Sequence, residues 1–77
     1  MWEVIGFERI VKGDGSTSYD LFVTKDFKPG ERVSGKKARR VWYRADEVAY
    51  RPTVGDMVVI ETETRGKYEI VTDIWVA

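Results

Sequence analysis

The sequence predicts an all-β domain, five strands closing into one small barrel. Three observations predict it. Residues 2–11, 18–25, 38–44, 57–64 and 67–76 are rich in Val, Ile, Tyr, Trp, Phe and Thr, which fit a pleated, half-buried surface. Turns bearing glycine, aspartate or proline separate these segments. No stretch sustains a helical period, and residues 45–49 have room for one helical turn at most. At 77 residues the chain is one domain, 1–77.

Each element has its own signal. In strand one, Val4 and Ile5 are both apolar and Gly6 interrupts. A glycine inside a strand marks a bulge or a sharp bend. Lys12-Gly13-Asp14-Gly15-Ser16 then makes a hairpin turn, since Gly and Asp accept positive φ. In strand two, alternation puts Tyr19, Leu21 and Val23 inward and Phe22 outward with Asp20 and Thr24. Lys28-Pro29-Gly30 opens a mobile loop that also holds Ser34-Gly35. Strand three turns Val41 and Tyr43 to the core and Arg40, Trp42 and Arg44 away from it.

Pro52-Thr53-Val54-Gly55-Asp56 sets a corner and launches strand four. Glycine relaxes the backbone there, and aspartate hydrogen-bonds nearby amides. Val58 and Ile60 are the inner residues of strand four. Thr64-Arg65-Gly66-Lys67 turns into strand five, where Tyr68, Ile70 and Ile74 face inward with Thr72 between them. Trp2 and Trp75 pack together if the first and last strands are neighbours. Barrel closure removes the exposed edges of so small a sheet. An oligonucleotide-binding (OB) barrel and an SH3-like barrel both fit five strands.

Composition narrows the chemistry. A hydrophobic fraction of 43% with 13% aromatic residues argues against disorder. The chain has no cysteine and no histidine. That removes disulfides, thiolate or imidazole zinc sites, Cys-His pairs and Ser-His-Asp triads. Glu61 and Glu63 share a strand face, but they read as a solvated acidic surface. Gly13-Asp14-Gly15 joins two strands and leads into no helix, so it reads as a turn and not a phosphate loop. The expectation is a non-enzyme with no cofactor, metal or small-molecule substrate. An acidic start at Met1-Trp2-Glu3 and the lack of an apolar run of about 20 residues predict a soluble cytoplasmic protein without a membrane partner.

Thirteen cations balance thirteen anions, so any nucleic-acid affinity has to be local. Residues 32–44 carry Arg32, Lys36, Lys37, Arg39, Arg40 and Arg44 with no acid. Within them, Arg40-Trp42-Arg44 alternates cation and ring along one strand face. Single-stranded nucleic acid needs that combination: cations for phosphates and rings for bases. Phe22, also outward, is a second stacking surface, and Lys25 extends the cationic track with Arg9 and Lys12. Neutralising phosphates with these groups predicts a steep loss of affinity with salt. The competing reading gives Phe22 and Trp42 to a small apolar cluster or a dimer interface, in an interaction module without a nucleic-acid role.

Several motifs carry a resemblance: Val4-Ile5-Gly6, Tyr19-Asp20-Leu21-Phe22, Val41-Trp42-Tyr43, the segment from Pro52 to Ile60, and Arg65-Gly66-Lys67-Tyr68-Glu69-Ile70. Together they resemble small single-stranded-DNA-binding proteins of filamentous phages. They also resemble the related short proteins beside replication genes on phages, plasmids and conjugative elements of Gram-positive bacteria. The resemblance implies an OB barrel that dimerises and coats single-stranded DNA without sequence preference. By position it implies base stacking on Phe22 and Trp42 and phosphate contact by Arg39, Arg40 and Arg44.

Overall fold

A computed structural model describes residues 1–27, 30, 32 and 35–77. Lys28, Pro29 and Ser34, assigned from sequence to a mobile loop, lie outside the described residues. Five antiparallel strands form one sheet: β1 (Trp2–Val11), β2 (Thr17–Asp26), β3 (Lys36–Arg44), β4 (Met57–Arg65) and β5 (Tyr68–Val76). Every predicted strand is present, with bounds shifted by at most two residues.

The strand order is β3-β2-β1-β4-β5. β1, β2 and β3 form a meander, and the chain then returns to lay β4 beside β1. A fourth strand returning beside the first is the Greek-key arrangement. Among the described residues no hydrogen-bonded ladder closes the sheet, so in place of the barrel expected from sequence stands an open sheet. β1 and β4 pair only at Trp2↔Val58 and Glu3↔Met57. Beyond those rungs the β4–β5 hairpin leaves the meander, and Glu69 on β5 reaches Arg39 on β3 at 2.6 Å. An ion pair thus joins the two edges where a ladder would otherwise run.

Two bulges set which residues face the core. Val4 pairs with Val23 and Gly6 with Phe22, so Ile5 is the extra residue and points outward. This is the bulge that Gly6 predicted. The second bulge corrects the expectation for β5. Glu61 pairs with Asp73 and Thr62 with Val71, which makes Thr72 the extra residue. Side-chain parity inverts there. Ile74 stays buried, Val71 becomes the next core residue, and Tyr68 is 75% exposed instead of inward.

The core gathers Val4, Leu21, Val23, Val41, Val48, Val58, Val71 and Ile74 with Tyr19, Tyr43 and Tyr50. Val48 comes from a hydrogen-bonded turn after β3, where the amides of Glu47 and Val48 both donate to the Arg44 carbonyl. The corner before β4 is tied to β1. Gly55, at φ 97°, donates to the Val4 carbonyl, and the Val4 amide donates to the Asp56 carbonyl. The Asp56 carboxylate accepts from the Tyr50 hydroxyl at 2.7 Å, and not from an amide as the sequence suggested. Trp2 and Trp75 do not pack together. β4 separates β1 from β5, and Trp75 pairs with Val59 on the face opposite buried Val58.

Two core tyrosines make alkaline pH a test of the packing. Burial pushes the Tyr50 hydroxyl up to about 12, and its bond to Asp56 adds to the shift. Burial also raises Tyr43, with neighbouring Tyr19 and Tyr50 adding to it; the Tyr43 hydroxyl donates to the Tyr50 carbonyl at 2.8 Å. A raised folded value means the folded chain holds these protons after the unfolded chain, at about 10, has lost them. Their contribution is complete below pH 10 and is lost as pH rises through 12. Urea midpoints measured from pH 8 to 12 are expected to fall above pH 10. Tyr50→Phe should remove part of that fall, and a flat profile would contradict this account of the core.

Candidate functional site

The outer face of the β1–β2–β3 meander carries the candidate site. The ladder lays it out in rows. Gly6, Phe22 and Arg40 form one row, Glu8, Asp20 and Trp42 the next, and Ile10, Ser18 and Arg44 a third. Phe22 and Trp42 are therefore diagonal neighbours on one face, 39% and 48% exposed. Gly6 has no side chain, and the bulged Ile5 is the β1 side chain that points outward beside that row. Two rings lie open side by side, with an arginine in the row of one and another in the row beyond the other.

Acids hold the cations of this face. Asp20 is only 7% exposed, and both of its carboxylate oxygens accept from Arg40 at 3.0 Å. Arg44 meets Asp46 at 2.9 Å and Glu47 at 3.5 Å. Lys36 lies 4.0 Å from Asp26. The basic stretch 32–44 has no acid in sequence; folding brings acids to it from β2 and from the turn after β3. The exposed pairs of Arg44 and Lys36 contribute about 0–1 kcal/mol each, so a ligand competes with them at small cost, whereas Arg40 is held more firmly by the nearly buried Asp20. They nevertheless cancel most of the field that a phosphate would feel.

Four residues expected at the site or along its cationic track sit on the core side instead. Parity sends Arg9, Lys25, Lys37 and Arg39 to the face opposite Phe22 and Trp42. The Lys25 ammonium lies 4.5 Å from the centre of the Trp2 ring, and the Arg39 guanidinium 5.9 Å from it. Arg39 also holds Glu69 across the open edge. The Thr62 hydroxyl and then Arg39 keep the Glu69 carboxyl below its ordinary value. Lys37 lies 5.4 Å from the centre of the Phe27 ring. Lys36, Arg40, Trp42, Arg44 and Phe22 remain on the outer face.

Sequence reasoning did not single out Asp20 as a buried anion. The sequence shows only an acid between two core residues of β2; its register with Trp42, one step from Arg40, comes from the β2–β3 pairing. No known protein family, curated protein or solved structure matches the chain. No helix among the described residues is long and apolar enough to cross a membrane.

Proposed function

We propose that the chain is a non-catalytic binding protein for single-stranded nucleic acid, of OB type. One observation carries the reading: Phe22 and Trp42 lie open on the same sheet face, one diagonal step apart, with Arg40 and Arg44 in the adjoining positions. Stacking platforms tolerate every base because every base has a π-face. The strand order also supports an OB barrel. β1 lies between β2 and β4, β5 faces β3 across the gap, and the β2–β3 face is the ligand face of that fold. The phage and mobile-element proteins that the sequence resembles have the same proposed activity and supply its proposed setting, DNA replication.

The acid partners change the expected electrostatics. The five cations expected from sequence would give a salt slope of about −3.5, and the three on this face, Lys36, Arg40 and Arg44, at most about −2.1, at about −0.7 per phosphate for single strands. With Arg40, Arg44 and Lys36 near carboxylates, the shallow value is expected and stacking dominates. Titration of oligo-dT at several salt concentrations, read by tryptophan quenching, measures both quantities. Trp42→Phe is expected to remove most of the quenching, since Trp2 lies on the core side and Trp75 on β5, outside the β1–β2–β3 face. Absence of binding at low salt would overturn the proposal.

The paired arginines favour a second reading, a self-association surface. An ion-paired, partly apolar face suits a protein partner as well as a nucleic acid. Analytical ultracentrifugation separates the two: a dimer that Trp42→Ala dissociates, with no oligo-dT binding by the wild type, supports self-association alone.

A further inference from the structure

The β1–β2 turn bounds one end of the outer face. Beside Trp42 it opens a cleft of about 340 Å³, lined by Lys12, Asp14, Ser16 and Arg44 among others. The ladder fixes their order. Arg44 pairs with Ser18 one row beyond Trp42, and the Lys12 amide donates to the Ser16 carbonyl one row further. Rows are two residues apart, about 7 Å. The turn thus lies two rows, about 14 Å, from Trp42 along the backbone, but the side chains of Trp42, Arg44, Lys12 and Asp14 bridge that span by lining one cleft.

The wall of the cleft offers both kinds of hydrogen-bonding partner. Asp14 Oδ1 accepts from the Ser16 amide at 2.9 Å and from the Ser16 hydroxyl at 2.7 Å. Those bonds keep the carboxyl ionised below its ordinary value and leave Oδ2 without a partner among the described residues. Lys12 and Arg44 offer donors. Phosphate meets a mixed lining, because the Asp14 carboxylate stands beside Lys12 and Arg44, and Arg44 is already paired with Asp46 and Glu47. A neutral base edge suits it better, because it accepts from the cations and donates to the carboxylate. Guanine has both: O6 and N7 accept from Lys or Arg, and its N1–H and N2–H₂ donate.

We propose that this cleft reads one guanine of the bound strand, with the ring on Trp42, N1–H and N2–H₂ on Asp14, and O6 and N7 on Lys12 and Arg44. The assignment rests on the strand-binding reading above and replaces indifference to sequence with a preference at one position.

The test compares oligo-dT with the same oligomer carrying one central guanine, cytosine, inosine or 7-deazaguanine. Guanine is expected to tighten binding about fivefold or more, the effect of one good polar pair to a base edge. Inosine lacks the N2 amine and 7-deazaguanine lacks N7, so each should lose part of that gain on the wild-type protein. Asp14→Asn should shrink the guanine gain and leave thymine binding unchanged. Equal affinities on the wild type, with Trp42 still quenched by oligo-dT, would overturn the guanine assignment and leave strand binding standing. A cytosine gain matching that of guanine would also overturn it. Failure of every oligomer to bind would overturn both.

Discussion

Trp42→Ala is expected to weaken oligo-dT binding by about 5- to 150-fold, the range that about 1–3 kcal/mol of lost stacking per base gives. The ring is half exposed on the outer face, so its removal opens no core cavity and should leave the urea midpoint nearly unchanged. Phe22→Ala should act in the same direction. The two rings are diagonal neighbours, so one strand contacts both, and the double variant should lose more than either single one. Coupling between residues in contact makes the sum inexact. Arg40→Ala offers a contrast: it strips the partner from the nearly buried Asp20 carboxylate and should cost stability as well as affinity. If Trp42→Ala binds oligo-dT like the wild type, the platform is not a nucleic-acid site. If it binds weakly only because it is unfolded, the urea midpoint will say so.

Strand alternation made much of this face legible. Tyr19, Leu21, Val23, Val41 and Tyr43 are buried as parity requires, and Phe22, Arg40, Trp42 and Arg44 lie opposite them. Gly6 announced its bulge because a glycine breaks an otherwise β-branched run. Thr72 announced nothing: a threonine is an ordinary strand residue, and only the pairing of Val71 with Thr62 reveals that it is extra. Alternation counted from Ile74 therefore holds as far as Thr72 and is one step out of phase from Val71 back to Tyr68. The net charge of the face is not legible for a different reason. Asp20, Asp26, Asp46 and Glu47 lie outside the basic stretch, and they meet its cations only after β2 pairs with β3 and the chain turns after Arg44. Local sequence shows a run of cations, whereas long-range pairing decides how much net charge the face presents. The edge clasp between Arg39 and Glu69 is likewise a contact across 30 positions, beyond the reach of any local pattern.

Leu21→Ala is expected to be the most damaging single change to the fold. Leu21 is fully buried, in the central run of β2 between Phe7 on β1 and Val41 on β3. Truncating a buried leucine costs about 2–5 kcal/mol, through lost transfer energy and the cavity left behind. At about 0.05–0.15 kcal/mol per residue, a chain of 77 residues has roughly 4–12 kcal/mol in total. The variant should therefore lose a large share of its stability and melt at least about 8 °C lower. Its neighbour Phe22 points the other way, and Phe22→Ala should lower the melting temperature far less while weakening oligo-dT binding. Adjacent positions in one strand thus separate folding from function, which a generally fragile domain would not do. Thermal melts and oligo-dT titrations of the two variants decide the matter. Equal thermal losses in both would mean that Phe22 belongs to a second apolar cluster and not to an open binding face.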